Sequence, residues 1–217
     1  MPKSKSFSQW SIEDAVEEFG LTVDYTGKGI EYWIDNKEFI TEEEAEKLAP
    51  LRAELINHIT LWNELELEIF FISPLLAMLN MKDIGVQAFI EREIRATVDD
   101  WVISGEVDWI VAKGFGKPKA PFFCLKEFKK AKNSSNDPEG QLVVSMLAAQ
   151  EKNKIMYPNS PFPVYGAYLL GRDWTFCVLQ ERHFIQSLPL LPTDESGLNK
   201  ILCILKKLKE IIRESGR

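Results

Sequence analysis

The chain has 217 residues, 45% of them hydrophobic, and a net charge of −7. That length and composition suit one large domain with a sizeable core. No apolar run reaches the roughly 18 residues a membrane span needs, and the first ten residues lack the apolar stretch of a secretory signal. Three well-separated cysteines (Cys124, Cys177, Cys203) point to free thiols in a reducing cytoplasm, not to a disulfide framework. The charge is uneven: residues 1–50 carry 12 acidic and 5 basic residues, and the rest carry 21 of each. The acidic balance therefore belongs to the first quarter and does not argue against nucleic-acid binding by the remainder.

In chain order, residues 1–8 are expected to fray. Ser11-Ile-Glu-Asp14 resembles a capping box, and the helix it opens ends at Gly20. Leu21–Tyr25 and Ile30–Ile34 alternate around a glycine-containing turn and predict a hairpin. Thr41 and Glu44 form a second capping box, opening an acidic helix to about Ala49. Residues 1–48 thus read as a small helix-hairpin-helix extension docked on a main domain over 49–217.

Pro50 suits the first position of a new helix. Leu51–Met81 has helical periodicity, with Leu61, Leu65, Ile69, Ile72 and Leu76 on the stripe expected to face the core. Pro74 must kink or break that helix. His58 falls on the same stripe and reads as a core histidine. Residues 86–97, 106–113 and 121–128 read as strands. A helix from Asp137-Pro138 to about Asn153 follows, with Gln150 on its surface. A loop, strands over Val164–Leu170 and Trp174–Leu179, and an amphipathic helix over Glu195–Glu214 complete the chain. This order predicts an α/β (α+β) fold with a central mixed sheet flanked by helices.

The chemistry concentrates in Gly105-Glu-Val-Asp-Trp-Ile-Val-Ala112 and Phe122-Phe-Cys-Leu-Lys-Glu-Phe-Lys-Lys130. Strand alternation puts Glu127 and Lys129 on one side. If the two strands are neighbours, Asp108 and Glu127 converge on one cation. Magnesium takes hard oxygen ligands and keeps several waters, so two carboxylates plus a substrate phosphate suffice. A lysine beside it can orient the attacking water and steady developing charge. Residues 113–132 also hold seven lysines and one acid. Lys113, Lys117, Lys119, Lys130 and Lys132 are the candidates for neutralising phosphates. Glu-X-Lys on a strand is equally the pattern of a solvated ion pair, and a lysine run that of a solubilising face. Both alternatives stand at this point.

Asp, a variable gap, then Glu-X-Lys on the next strand resembles the PD-(D/E)XK nuclease superfamily over roughly residues 51–180. Val107 stands where the motif name has proline. The resemblance implies a restriction-endonuclease-like core of order αβββαβ, with Asp108, Glu127 and a carbonyl near Phe128 as metal ligands and Lys129 as the catalytic lysine. It also implies a glutamate on the first core helix. Of Glu64, Glu66 and Glu68, the last lies nearest the apolar stripe, roughly 60° from Leu65 at about 100° per residue, and is the expected ligand. A polar residue on the helix after the Glu-X-Lys strand is a further implication, and Gln141 takes that place. The activity implied is magnesium-dependent phosphodiester hydrolysis, with manganese as an alternative, on DNA before RNA. A homodimer would serve duplex cleavage. The rival is a non-catalytic module on the same scaffold that binds nucleic acid or protein.

Overall fold

The computed structural model describes residues 3–126, 137–159, 162–170 and 172–215. Its centre is a mixed eight-stranded sheet with helices on both faces, an α+β arrangement. The strands are β1 (Lys3–Ser6), β2 (Thr22–Asp24), β3 (Gln87–Val98), β4 (Trp101–Lys113), β5 (Ala120–Lys126), β6 (Val164–Leu170), β7 (Asp173–Gln180) and β8 (His183–Gln186). The path β4-β5-β6-β7-β8-β2 runs across the sheet, with β1 and β3 also paired to β4. β5 and β6 are parallel, as are β1 with β4 and β2 with β8. The remaining pairs are antiparallel.

Each face of the sheet has its own core. On one face pack α2 (Glu31–Ile34), α3 (Glu42–His58), the segment α4–α5 (Glu64–Ala77) and α7 (Glu195–Glu214). They cover Trp109, Val111, Phe123, Leu125, Trp174 and Phe176. On the other face α1 (Ile12–Phe19) and α6 (Pro138–Met156) cover Ile103, Val107, Ile110, Cys124 and Cys177. Burial pushes the Cys124 thiol up to about 12 and the Cys177 thiol well above its ordinary value. Neither is therefore a thiolate nucleophile at neutral pH. All three cysteines are free. Among the described residues no helix is long and apolar enough to cross a membrane.

The first residues do not fray. Lys3–Ser6 pair with Trp101–Ser104, and Phe7 and Trp10 anchor them at 2% exposure each. The predicted hairpin is not formed. Thr22–Asp24 pair instead with His183–Ile185, a strand the sequence did not signal. Residues 31–34 are helical because Trp33 is driven into the core, where its indole N–H donates to the Ile204 carbonyl of α7 at 2.9 Å. Tertiary pairing has overridden local alternation. The N-terminal 48 residues thus contribute one strand to each side of the sheet.

The helices of residues 42–77 also differ from expectation. Thr41 opens α3 through a capping box, but the helix runs through the exposed Pro50 to His58, held by buried Leu48 and Leu55. A turn follows, and Asn63 caps α4. Glu68–Ile72 then form a π turn directly before Ser73-Pro74, where the proline's missing amide interrupts the ladder. The break rotates the expected stripe. Ile72 and Leu76 are buried, joined by Leu67, Phe71 and Leu75, whereas Leu61, Leu65 and Ile69 face outward. His58 is not a core residue. Its Nδ1 lies 3.0 Å from the Glu54 carbonyl, and its ring stacks on Trp62.

Asp137 caps two helices at once. One oxygen accepts from the Glu139 and Gly140 amides of α6, and the other accepts from the Ile12 amide of α1 at 2.9 Å. Gly140 makes the approach feasible, since a Cβ there would lie 2.4 Å from the Ser11 carbonyl carbon. Gly140→Ala is expected to cost about 1–3 kcal/mol through overpacking. Gly116→Ala, with nothing within 4 Å of its Cβ, should leave stability unchanged. Urea unfolding of both variants checks the pair.

Candidate metal centre

Asp108 sits at a fork in the sheet. One edge of β4 pairs with β3 along its length, whereas the other edge is divided. β1 takes Trp101–Ser104 and β5 takes Trp109–Lys113. Gly105–Asp108 fall between them. Gly105 is required there because a Cβ would lie 2.7 Å from the Phe7 ring, which plugs the end of β1.

The strands also change face at this point. Val107 packs toward α6, whereas Trp109 packs toward α4–α5. Ile103 and Val107, then Ile110 and Ala112, all point to the α6 side, so the alternation shifts by one across Asp108–Trp109. β3 makes the same shift between Phe89 and Ile94. The ladder pairs Ile90 with Trp109 and Arg92 with Val107, with no ladder pair between them. Glu91, opposite Asp108, has φ of 47°, a left-handed conformation that costs a non-glycine residue roughly 1 kcal/mol or more. The Arg92 guanidinium braces the distortion by donating to the Ile90 and Glu91 carbonyls.

Glu68 meets this fork from the α4–α5 side. It opens the π turn, and its Oε1 accepts the Trp109 indole N–H at 2.9 Å. Partial burial holds its carboxyl above the ordinary value. The Trp109 hydrogen bond opposes that shift, and the charges of Glu91, Asp108 and Glu64 reinforce it. Four carboxylates thus share one electrostatic neighbourhood. Glu68 and Asp108, the two expected ligands that lie within the described residues, are both in it. Glu91 and Trp109 were not picked out from sequence. Their signal is a geometric one, a left-handed glutamate at a break in the β3–β4 ladder opposite an aspartate, which no local motif encodes.

The remaining candidates divide. Glu127, Lys129, Lys130 and Lys132 lie outside the described residues. Among the described residues no three His, Cys, Asp or Glu side chains are grouped to hold a metal ion. Lys126 is the last described residue of β5. The β4–β5 ladder ends at the pair Trp109–Leu125, with Ile110 facing Cys124 before it. Gln141 is buried at 5% exposure in α6, whose apolar side packs on the face opposite Glu68. The structure does not bring those two together. Gln150 is not on the surface; it is buried and donates to the Glu181 carbonyl at 3.1 Å.

Lys113, Lys117 and Lys119 belong to the β4–β5 turn. Lys113 is five residues along β4 from Asp108, roughly 16 Å at the strand rise. The turn is tied down. Gln87 donates to the Gly114 and Phe115 carbonyls, and the Lys119 amide closes on the Lys113 carbonyl at 2.8 Å.

The raised carboxyl of Glu68 has a consequence for stability. Its penalty is absent below the unfolded-state pKa and fully present above the folded one. Glu68→Gln keeps an acceptor for Trp109 and removes the repulsion. It is expected to raise Tm at pH 7, with the gain vanishing as pH falls below the usual glutamate range of about 4.3. Thermal unfolding across pH 3–8 measures this.

No protein-family model matches the chain, and no curated protein matches it at a significant level.

Proposed function

We propose that the chain is a magnesium-dependent nuclease acting on DNA. Glu68 and Asp108 would supply carboxylate oxygens to the ion, with Glu127 as the further ligand. The observation that supports this is that Glu68 is hydrogen-bonded to Trp109, the residue after Asp108, and has its carboxyl held above the ordinary value by partial burial, with the charges of Glu91, Asp108 and Glu64 adding to it. Glu68 and Asp108 come from separate elements, and their charges act on each other. A carboxylate raised chiefly by burial is stabilised in its charged form by a hard divalent cation with oxygen ligands.

Magnesium held there would neutralise charge on a phosphoryl oxygen and lower the pKa of its bound water. The chain's own groups do the positioning. Trp109 fixes Glu68 through its indole N–H. The divided edge of β4 leaves the Gly105–Asp108 stretch between two strands. Lys129 is assigned to the attacking water. Lys113, Lys117 and Lys119, set back along the sheet, with Lys130 and Lys132, are assigned to the nucleic-acid backbone. Cleavage of both strands of a duplex would call for two copies. Three free thiols suit a reducing cytoplasm.

Incubating the purified chain with supercoiled plasmid and magnesium tests the proposal. Nicked or linear product is expected, lost on chelation. Asp108→Ala should slow it at least about 100-fold, since a ligand to the ion contributes several kcal/mol to transition-state stabilisation. A wild-type chain that shows a magnesium-dependent rise in Tm yet cuts neither duplex nor single-stranded DNA or RNA would refute it.

A further inference from the structure

Phe115 is 98% exposed at the tip of the β4–β5 turn. One exposed phenylalanine is ordinary on a protein surface; the way this one is held is not. Gln87 reaches across from β3 and donates to the carbonyls of Gly114 and of Phe115 itself, at 2.7 and 3.0 Å. The Lys119 amide closes the turn on the Lys113 carbonyl, and Pro118 is buried. Gly114 has φ of 133°, and a Cβ there would lie 2.1 Å from the Lys117 carbonyl oxygen, so only glycine fits. Gly116, on the other side, has nothing within 4 Å of its Cβ position. The ring is thus carried on a braced backbone between two residues without side chains, and neither neighbour covers its faces.

The charge around the ring is of one sign. Residues 113–119 contain Lys113, Lys117 and Lys119 and no acid. Among the described residues none of these three lysines has an ion-pairing carboxylate, whereas Lys200, Lys206, Lys207 and Lys209 of α7 all have one. Three cations around one open ring match a polyanion that carries flat apolar groups along its length, and a nucleic-acid strand is such a polymer. A bilayer also offers anionic charge, but it is entered by apolar bulk or by the apolar side of a helix, and this turn offers a single ring. An acidic peptide brings charge without the flat faces. β4 also carries Asp108, roughly 16 Å from Lys113, so a strand of a few nucleotides bound at the fork reaches the tip.

We propose that Phe115 stacks on an unpaired base of a nucleic-acid strand whose phosphates are held by Lys113, Lys117 and Lys119. The inference rests on the nuclease reading for the identity of the polymer and adds a binding determinant outside the metal centre. It concerns binding alone, so its test runs in chelator, where no cleavage occurs.

The probe is a short fluorescein-labelled oligothymidylate, titrated with the full chain and followed by anisotropy. Saturable binding is expected. Phe115→Ala should weaken it at least about fivefold, the loss of one stacked base, without changing the slope of log affinity against log salt. Phe115→Trp should keep the wild-type affinity. Lys117→Gln/Lys119→Gln should lower the slope by about 1.4, at roughly 0.7 for each phosphate contact to a single strand. On an abasic strand of the same length, wild type and Phe115→Ala should bind alike, because no base is there to stack. With its side chain in solvent, Phe115 is dispensable for folding, and unfolding curves verify this for each variant. Wild-type affinity in Phe115→Ala, an equal loss on the abasic strand, a loss confined to the annealed duplex, or no binding of oligothymidylate by wild type would overturn the proposal. So would phosphatidylserine vesicles that wild type binds and Phe115→Ala does not. The two readings fail separately. A chain that binds the strand through Phe115 yet never cuts supports this proposal and refutes the nuclease, whereas plasmid cleavage with unaltered binding by Phe115→Ala sinks this proposal alone.

Discussion

The architecture depends on how one edge of β4 is shared. β4 is 13 residues long, and neither partner on that edge covers it. β1 supplies four parallel pairs at one end and β5 supplies antiparallel pairs at the other. Two strands running in opposite directions cannot merge into one ladder, so the sheet opens between Gly105 and Asp108. Phe7 fills part of the gap beside Gly105, and the shift of side-chain alternation in β3 and β4 takes up the remaining mismatch. Asp108 is placed at the opening for that reason, and so is the strain at Glu91.

Electrostatics then gives the opening a sign. Trp109 reaches back to Glu68, and the two form a polar contact at the edge of an otherwise apolar layer. Burial raises the Glu68 carboxyl most, the indole N–H opposes that rise, and the charges of Glu91, Asp108 and Glu64 add to it. The segment carrying Glu68 also lacks basic residues.

How much of this could be read from sequence differs by element. α7 matches its expected bounds of Glu195–Glu214, because its apolar stripe has a single uninterrupted period. α1, with Ser11 as cap and Gly20 at its end, was equally plain. β3 to β7 were found within a few residues, since β-branched and aromatic runs marked them. The hairpin expected over 21–34 failed because Trp33 gains more from the core than local alternation offers. β8 and β1 were missed because short polar strands become strands only through partners far away in sequence. The stripe through Leu61, Leu65 and Ile69 was a true helical period whose burial was misassigned. A helix apolar on both sides does not declare which side is covered, and the π turn before Pro74 shifts the phase between them. At the candidate centre, the sequence offers Glu68 and Asp108 as candidates, and the structure ties Glu68 to Trp109, the residue after Asp108. Their separation from Gln141 across the sheet was not, since it turns on which face each helix packs against.

The order in which the strands pair has a consequence for synthesis. β1 and β2 leave the ribosome first, but their partners are β4 and β8, and β8 begins at His183. Asp137 likewise clasps Ile12 across 125 positions. During translation β1 can pair only once Trp101–Ser104 have emerged, and β2 and the Ile12–Asp137 clasp need the C-terminal half, so closure of the sheet waits for it. Such long-range pairing slows folding. It also leaves Phe7, Trp10 and Phe19 uncovered meanwhile, when chaperones and aggregation compete for them.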